Sequence, residues 1–279
     1  MAQIFPLTEE DKKYYRALLT RSALSGIFYP FTTARTLIQL GHSPFTISTS
    51  PIFFSLGFEW KAIRYAKQLA YAKGVWALWS GFEPFALSSI VSGVASYSFG
   101  KYLNTHYPDV GGPVDFNGKE ERSLTDHESF RRTLRSAIRS SIVQAFSLAC
   151  SRALTVVHIR QVAQIVSGET KYHSALQALQ LVGIEEGPIG FFRGLATQII
   201  GELVMIWGFH SVVYLTERLL VRSGLAAKAV EDKRKQEELN VIRGCVYSFF
   251  RHLLTPLSFS YSRIATVLAV PGTAHSRTN

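Results

Sequence analysis

The chain has 279 residues, 47% hydrophobic and 13% aromatic, yet only 18% charged where about 25% is usual, which excludes disordered and collagen-like classes and allows a large core. Thirty Lys and Arg against twenty Asp and Glu leave a net charge of +10, a balance suited to nucleic acid or an anionic membrane surface. No segment forms a recognisable nucleic-acid module, which argues against nucleic acid as a partner, and Cys150 and Cys245 lie in separate apolar stretches that give neither a disulfide framework nor a metal pair.

Met1 to Tyr15 has no secretory core and carries three acidic residues, so it reads as neither a signal nor a transit peptide, and any organelle address is expected to be internal. Five apolar segments follow. Residues 14–40 contain only Arg16, Arg21 and Arg35; 84–100 contain no charge; 133–166 contain Arg135, Arg139, Arg152 and Arg160; 194–216 contain only Glu202; 244–270 contain Arg251 and Arg263. Amphipathic stretches at 58–73 and 172–184 lie between them, and polar loops at 105–132 and 223–240 carry much of the charge. No segment is a clean run of the roughly 20 apolar residues that a bilayer needs. Composition therefore leaves a large soluble helical protein open.

Periodicity favours the membrane. Ser136, Ser140, Gln144, Ser147, Ser151, Thr155 and His158 step by three or four, one polar stripe on an apolar helix. Ser88, Ser92 and Ser96 form a second, Ser248, Arg251, Thr255, Ser258 and Ser262 a third, and Gln198 with Glu202 a shorter one. A soluble helix would carry Glu and Lys on its outer face; Ser, Thr and Gln suit a face turned to other helices or to a cavity. Each hydroxyl alone is equally explained by a bond to its own backbone one turn back. Ionisable groups at bilayer depth cost about 2.5–3.5 kcal/mol, so Arg152, Arg160, Glu202 and Arg263 are expected to face inward, whereas Arg16, Arg21, Arg135, Arg139 and Arg251 are expected to snorkel to the headgroups.

The chain also repeats. Gly74-Val75-Trp76-Ala77-Leu78-Trp79-Ser80-Gly81 and Gly187-Pro188-Ile189-Gly190-Phe191-Phe192-Arg193-Gly194 each read Gly, four residues, an aromatic, one residue, Gly, and each precedes an apolar span. Their glycines are expected to permit a tight entry from surface helix to span. Upstream lie Pro30-Phe31-Thr32-Thr33-Ala34-Arg35 and Thr155-Val156-Val157-His158-Ile159-Arg160, and a third start appears at Thr255-Pro256-Leu257-Ser258-Phe259-Ser260-Tyr261. This pattern resembles the mitochondrial solute carrier family, and Tyr29 to Phe45, Ile159 to Tyr172 and Phe191 to Leu203 look like its divergent outer-membrane branch, the mitochondrial carrier homologues. The resemblance covers about residues 14–270.

The resemblance implies an all-α membrane protein with a single carrier-like, pseudo-threefold domain over 1–279: repeat 1 at 14–104, repeat 2 at 133–222 and an incomplete repeat 3 at 241–270. Two departures have consequences. The acidic positions of the three motifs are Thr32, Val157 and Ser258, and the third basic position is Tyr261, so the ring of ion pairs that closes a solute carrier cannot form. Residues Pro271 to Asn279 are also too few for a sixth span, so five transmembrane helices are expected, with a polar interior open sideways to lipid.

As a function, the resemblance implies an insertase of the mitochondrial outer membrane for α-helical, notably tail-anchored, proteins, and docking of a pro-apoptotic Bcl-family protein. A polar groove lowers the cost of carrying a client's polar flank through hydrocarbon while its apolar part leaves sideways into lipid. Helical phase nominates Gln144, Ser151, Arg152, Thr155, His158, Arg160 and Gln198 as its lining; the motif matches add Arg35 and Glu202, and Arg263 is the remaining inward-facing ion. Arg35 is equally read as snorkelling, Glu202 as an ion-pair partner of Arg152 or Arg160, and His158 as a packing histidine. The alternatives are a solute transporter binding an anion through Arg35, Arg160 and Arg263, or a non-catalytic surface receptor. With no metal-ligand pairing, phosphate loop or nucleophilic triad, no enzyme activity, metal or cofactor is expected.

Overall fold

The computed structural model describes residues 8–42, 54–113, 119–225, 227 and 233–270, together with their side chains except those of 54–59 and 233. Among them the chain is all-helical: α1 (Glu9–Ile27), α2 (Tyr29–Gln39), α3 (Phe54–Lys73), α4 (Phe82–His106), α5 (Asp126–Ser167), α6 (Ala175–Phe191), α7 (Leu195–Arg222) and α8 (Lys233–Ala269), with 3₁₀ turns at Val75–Trp79 and Glu121–Ser123. Two of these, α5 and α7, are by length and composition long and apolar enough to cross a membrane. The expectation about a sixth span falls on residues after Val270 and lies outside the described residues.

The first apolar segment is not one rod. A capping box starts α1, with Thr8 Oγ1 accepting from Asp11 N and Asp11 Oδ2 accepting from Thr8 N. The helix stops at Phe28 because Pro30 stands in the first turn of α2, where it offers no N–H to the preceding turn. The third segment begins earlier than its apolar run, because Thr125 and Glu128 form a second capping box and carry α5 through 42 residues to Gly168, which caps it at φ 72°. The fifth likewise extends back into the charged stretch from Lys233.

The repeat is visible in the backbone. Gly74, Gly81, Gly187 and Gly194 all adopt positive φ, 88°, 80°, 66° and 70°, so both copies turn from the shorter helix into the long helix that follows, α4 or α7, through left-handed glycines. Gly187 breaks α6 into two pieces. Each surface helix covers a core of its own: Tyr65, Ala66 and Leu69 of α3 lie on Leu37, Ile38, Leu78 and Val162, and Ala178 and Val182 of α6 lie on Val157 and Tyr172.

The long helices pack in sequence, α1 on α4, α4 on α5, α5 on α7 and α7 on α8. At one end α2 touches α3, α5 and α8 and draws the bundle together, whereas no extended contact joins α1 to α8 at the other.

Candidate functional site

The end where α1 starts is tied by ion pairs. Lys101 Nζ reaches Asp11 Oδ1 at 2.8 Å and Tyr97 donates to the same oxygen at 2.6 Å, which fixes the end of α4 to the start of α1. In the second repeat Arg218, at the end of α7, pairs with Glu121 at 2.9 Å and with Asp126, at the start of α5, at 3.1 Å. Glu217 then receives Arg243 and the Tyr247 hydroxyl from α8, both at 2.8 Å.

Behind these clasps lies a polar cavity of about 630 Å³ between the first half of α5, the second half of α7 and the end of α4. Its walls include Asn104, Arg132, Ser136, Ser140, His210, Tyr214 and Glu217. A second space of about 340 Å³, lined by Ser96, Arg139, Ser140 and Gln144, adjoins it. Asn104, Arg139 and Ser140 border both, so the two form one groove. Ser136 Oγ lies 3.1 Å from His210 Nε2 and Trp207 Nε1 donates to Ser141 Oγ at 3.2 Å, which fixes the α5–α7 wall.

Arg135 and Arg139, expected at the headgroups, find protein partners in the chain that follows α4. Arg135 is buried and donates to the Gly112 carbonyl, while Arg139 donates to the Tyr107 and Val110 carbonyls at 3.0 and 3.2 Å and to Asn104 Oδ1 at 2.5 Å. The carbonyls after α4 need donors, and a guanidinium with five N–H groups supplies several at once.

The structure divides the nominated residues into two groups. Gln144 lines the groove. Lower on the same stripe, Ser147 bonds Ser92 at 2.7 Å, and Ser151 and Thr155 donate to backbone carbonyls one turn back at 3.0 and 3.1 Å. Arg152, only 2% exposed, donates to the carbonyls of Arg193 and Ala265 at 2.9 and 3.0 Å and to Gln198 Oε1, joining α5, α7 and α8. His158 Nδ1 donates to the Gly81 carbonyl at 3.0 Å beside the Tyr29 hydroxyl, a packing position.

Arg160 is 1% exposed, pairs with Glu186 at 2.8 Å and donates to the Ala269 carbonyl at 3.0 Å. Arg193 completes that site at 3.1 Å from Glu186. Glu202 therefore joins neither Arg152 nor Arg160; it is half-buried and makes no ion pair or hydrogen bond among the described residues. Arg35 and Arg263 are exposed, the latter with Nη2 4.0 Å from a Cβ placed on Gly41.

Sequence reasoning missed Asn104, Arg132, His210 and Glu217. Helical phase held the signal for α7: Phe209, Val213 and Glu217 continue the face of Gln198 and Glu202, but the apolar residues between hide the polar ones.

Among the described residues the molecule is a helical bundle with a groove between long helices, two of which are long and apolar enough to cross a membrane, and each repeat turns through left-handed glycines. No family model matches the chain. It is 23% identical over 256 residues to Mitochondrial carrier homolog 2 of Homo sapiens and of Bos taurus, which covers 91% of this chain and 79% of those proteins. To Mitochondrial carrier homolog 1 of Mus musculus it is 24% identical over 206 residues, 72% of this chain, and spans about half the length of that relative, 50%. Over most of its length the chain is thus similar to the mitochondrial carrier homologues.

Proposed function

We propose that the protein is an insertase of the mitochondrial outer membrane for single α-helical, tail-anchored clients, with five transmembrane rods formed by α1 with α2, α4, α5, α7 and α8. One observation carries this reading: a groove walled by Asn104, Ser136, Ser140, Gln144 and His210 lies between helices whose outer faces are apolar, among them Ile200, Leu215 and Leu219 of α7. A client's polar flank loses its hydration in hydrocarbon at several kcal/mol for each unsatisfied group, and hydroxyls, amides and an imidazole within the bilayer replace part of that hydration. None of the residues named for the groove comes from α1 or α8, and the lack of an extended α1–α8 contact among the described residues supports a lateral exit there.

Alternating access has little support from this arrangement. The motif bases Arg160 and Arg35 differ in what the motif offers them: Arg160 is locked to Glu186, whereas the position equivalent to Glu186 in the first repeat is Lys73, which offers no carboxylate. The test is reconstitution of the purified chain in liposomes with a purified tail-anchored client. Protease-protected client above the empty-liposome level is the expected result. Substrate-dependent solute flux without insertion would instead establish a transporter, and client capture without insertion a receptor.

A further inference from the structure

The two surface helices occupy equivalent places in their repeats but differ in chemistry. In α3 four bases, Lys61, Arg64, Lys67 and Lys73, stand against one acid, Glu59; α6 has two acids, Glu185 and Glu186, and no base. The acids of α6 are paired, with Lys171 at 2.6 Å and Arg160 at 2.8 Å. On α3 the buried face is Ala62, Tyr65, Ala66 and Leu69. The opposite face, in steps of four, three and four, is Trp60, Arg64, Lys67 and Tyr71, all exposed. Trp76, in the turn that follows, is 86% exposed, and Tyr71 is 82% exposed.

Apolar residues on the outside of α7, such as Ile200, Leu215 and Leu219, have no exposed Lys or Arg between them, Arg218 being buried, as suits acyl chains. Indole and phenol rings alternating with Lys and Arg suit a different layer, the headgroup level, where rings lie among ester groups and ammonium or guanidinium groups meet phosphates. We propose that the outward face of α3, continued by Trp76, binds the headgroups of anionic phospholipids and so fixes this end of the bundle in a negatively charged leaflet. The proposal shares with the insertase reading only the placement in a membrane and requires no client.

The test uses the full chain in membranes of phosphatidylcholine containing spin-labelled phosphatidylserine or spin-labelled phosphatidylcholine, with the motionally restricted lipid measured for each. Wild type is expected to favour phosphatidylserine, and the double variant R64Q/K67Q to lose that preference by about fivefold for each base removed. The variant R64K/K67R, which keeps the charge, is expected to retain it. Arg131→Gln, which removes an exposed base far from α3, is expected to leave it unchanged. An equal loss in Arg131→Gln would reduce the effect to net charge and overturn the site, as would full preference in the double variant. Displacement of the labelled lipid by inorganic phosphate or an oligonucleotide would assign the face to a ligand in water and also overturn it. Insertion of a tail-anchored client is scored separately, so failure of either reading leaves the other standing.

Discussion

At the scale of single residues the molecule separates polar groups that hold helices together from polar groups left open to a visitor. Arg152 belongs to the first kind. Arg152→Leu removes donors from the Arg193 and Ala265 carbonyls and from Gln198, and is expected to cost about 3 kcal/mol, read as a lower thermal midpoint with insertion lost in proportion to folded protein. Glu202 belongs to the second. Because it supports no ion pair or hydrogen bond among the described residues, Glu202→Lys is expected to change insertion of tail-anchored clients while the protein's abundance stays the same; unchanged insertion in the reconstituted assay would remove it from the route. Asp11 gives a pH signature. Lys101, then Tyr97 and Thr8, hold its carboxyl well below the usual carboxylate range. A carboxyl depressed in the folded state stabilises the fold above its unfolded pKa, about 4, and that contribution is lost as acid protonates it. The thermal midpoint of wild type is therefore expected to fall below about pH 4 more steeply than that of Asp11→Asn, which starts lower at neutral pH.

At the scale of elements the left-handed glycines decide how α3 and α6 lead into the long helices α4 and α7, and they are not equivalent. A Cβ on Gly194 would come within 2.5 Å of the Ala265 carbonyl oxygen and 2.7 Å of Arg152 Nη2, while one on Gly187 meets nothing within 4 Å. Gly187→Ala is expected to carry only the left-handed backbone penalty of about 1–2 kcal/mol, and Gly194→Ala distinctly more, because α8 has to retreat from α7; thermal unfolding of the pair measures the difference. The glycine repeat and the apolar stretches were legible in the sequence because backbone conformation and burial are written locally. The break at Phe28 was also written there, in Pro30, but the apolar run continues across it and hides the stop. The start of α5 was obscured for the opposite reason: the charged residues 126–132 resemble a loop until the Thr125–Glu128 capping box is given its weight. The carbonyl partners of Arg135 and Arg139 were not legible, because nothing local reveals that the chain after α4 folds back to present them.

At the scale of the whole molecule, one polar stripe on α5 serves two purposes. Toward its start Ser136, Ser140 and Gln144 face the groove, and further along Ser147, Ser151, Thr155 and His158 bind neighbouring helices or their own backbone. Periodicity reveals the stripe but not the point of division, which depends on how closely α4 and α7 approach α5 along its length, a tertiary property. The division makes the insertase reading testable by position. A photo-cross-linking residue at Ser140, which borders both parts of the groove, is expected to capture a tail-anchored client during insertion, whereas the same residue at Leu219, exposed on the outside of α7, is not. Each site tolerates a larger side chain, since neither is fully buried, so a difference in capture reports the route and not a loss of fold. Equal capture at both positions would mean that clients slide along the outer surface through lipid, and the groove would then have no part in their passage.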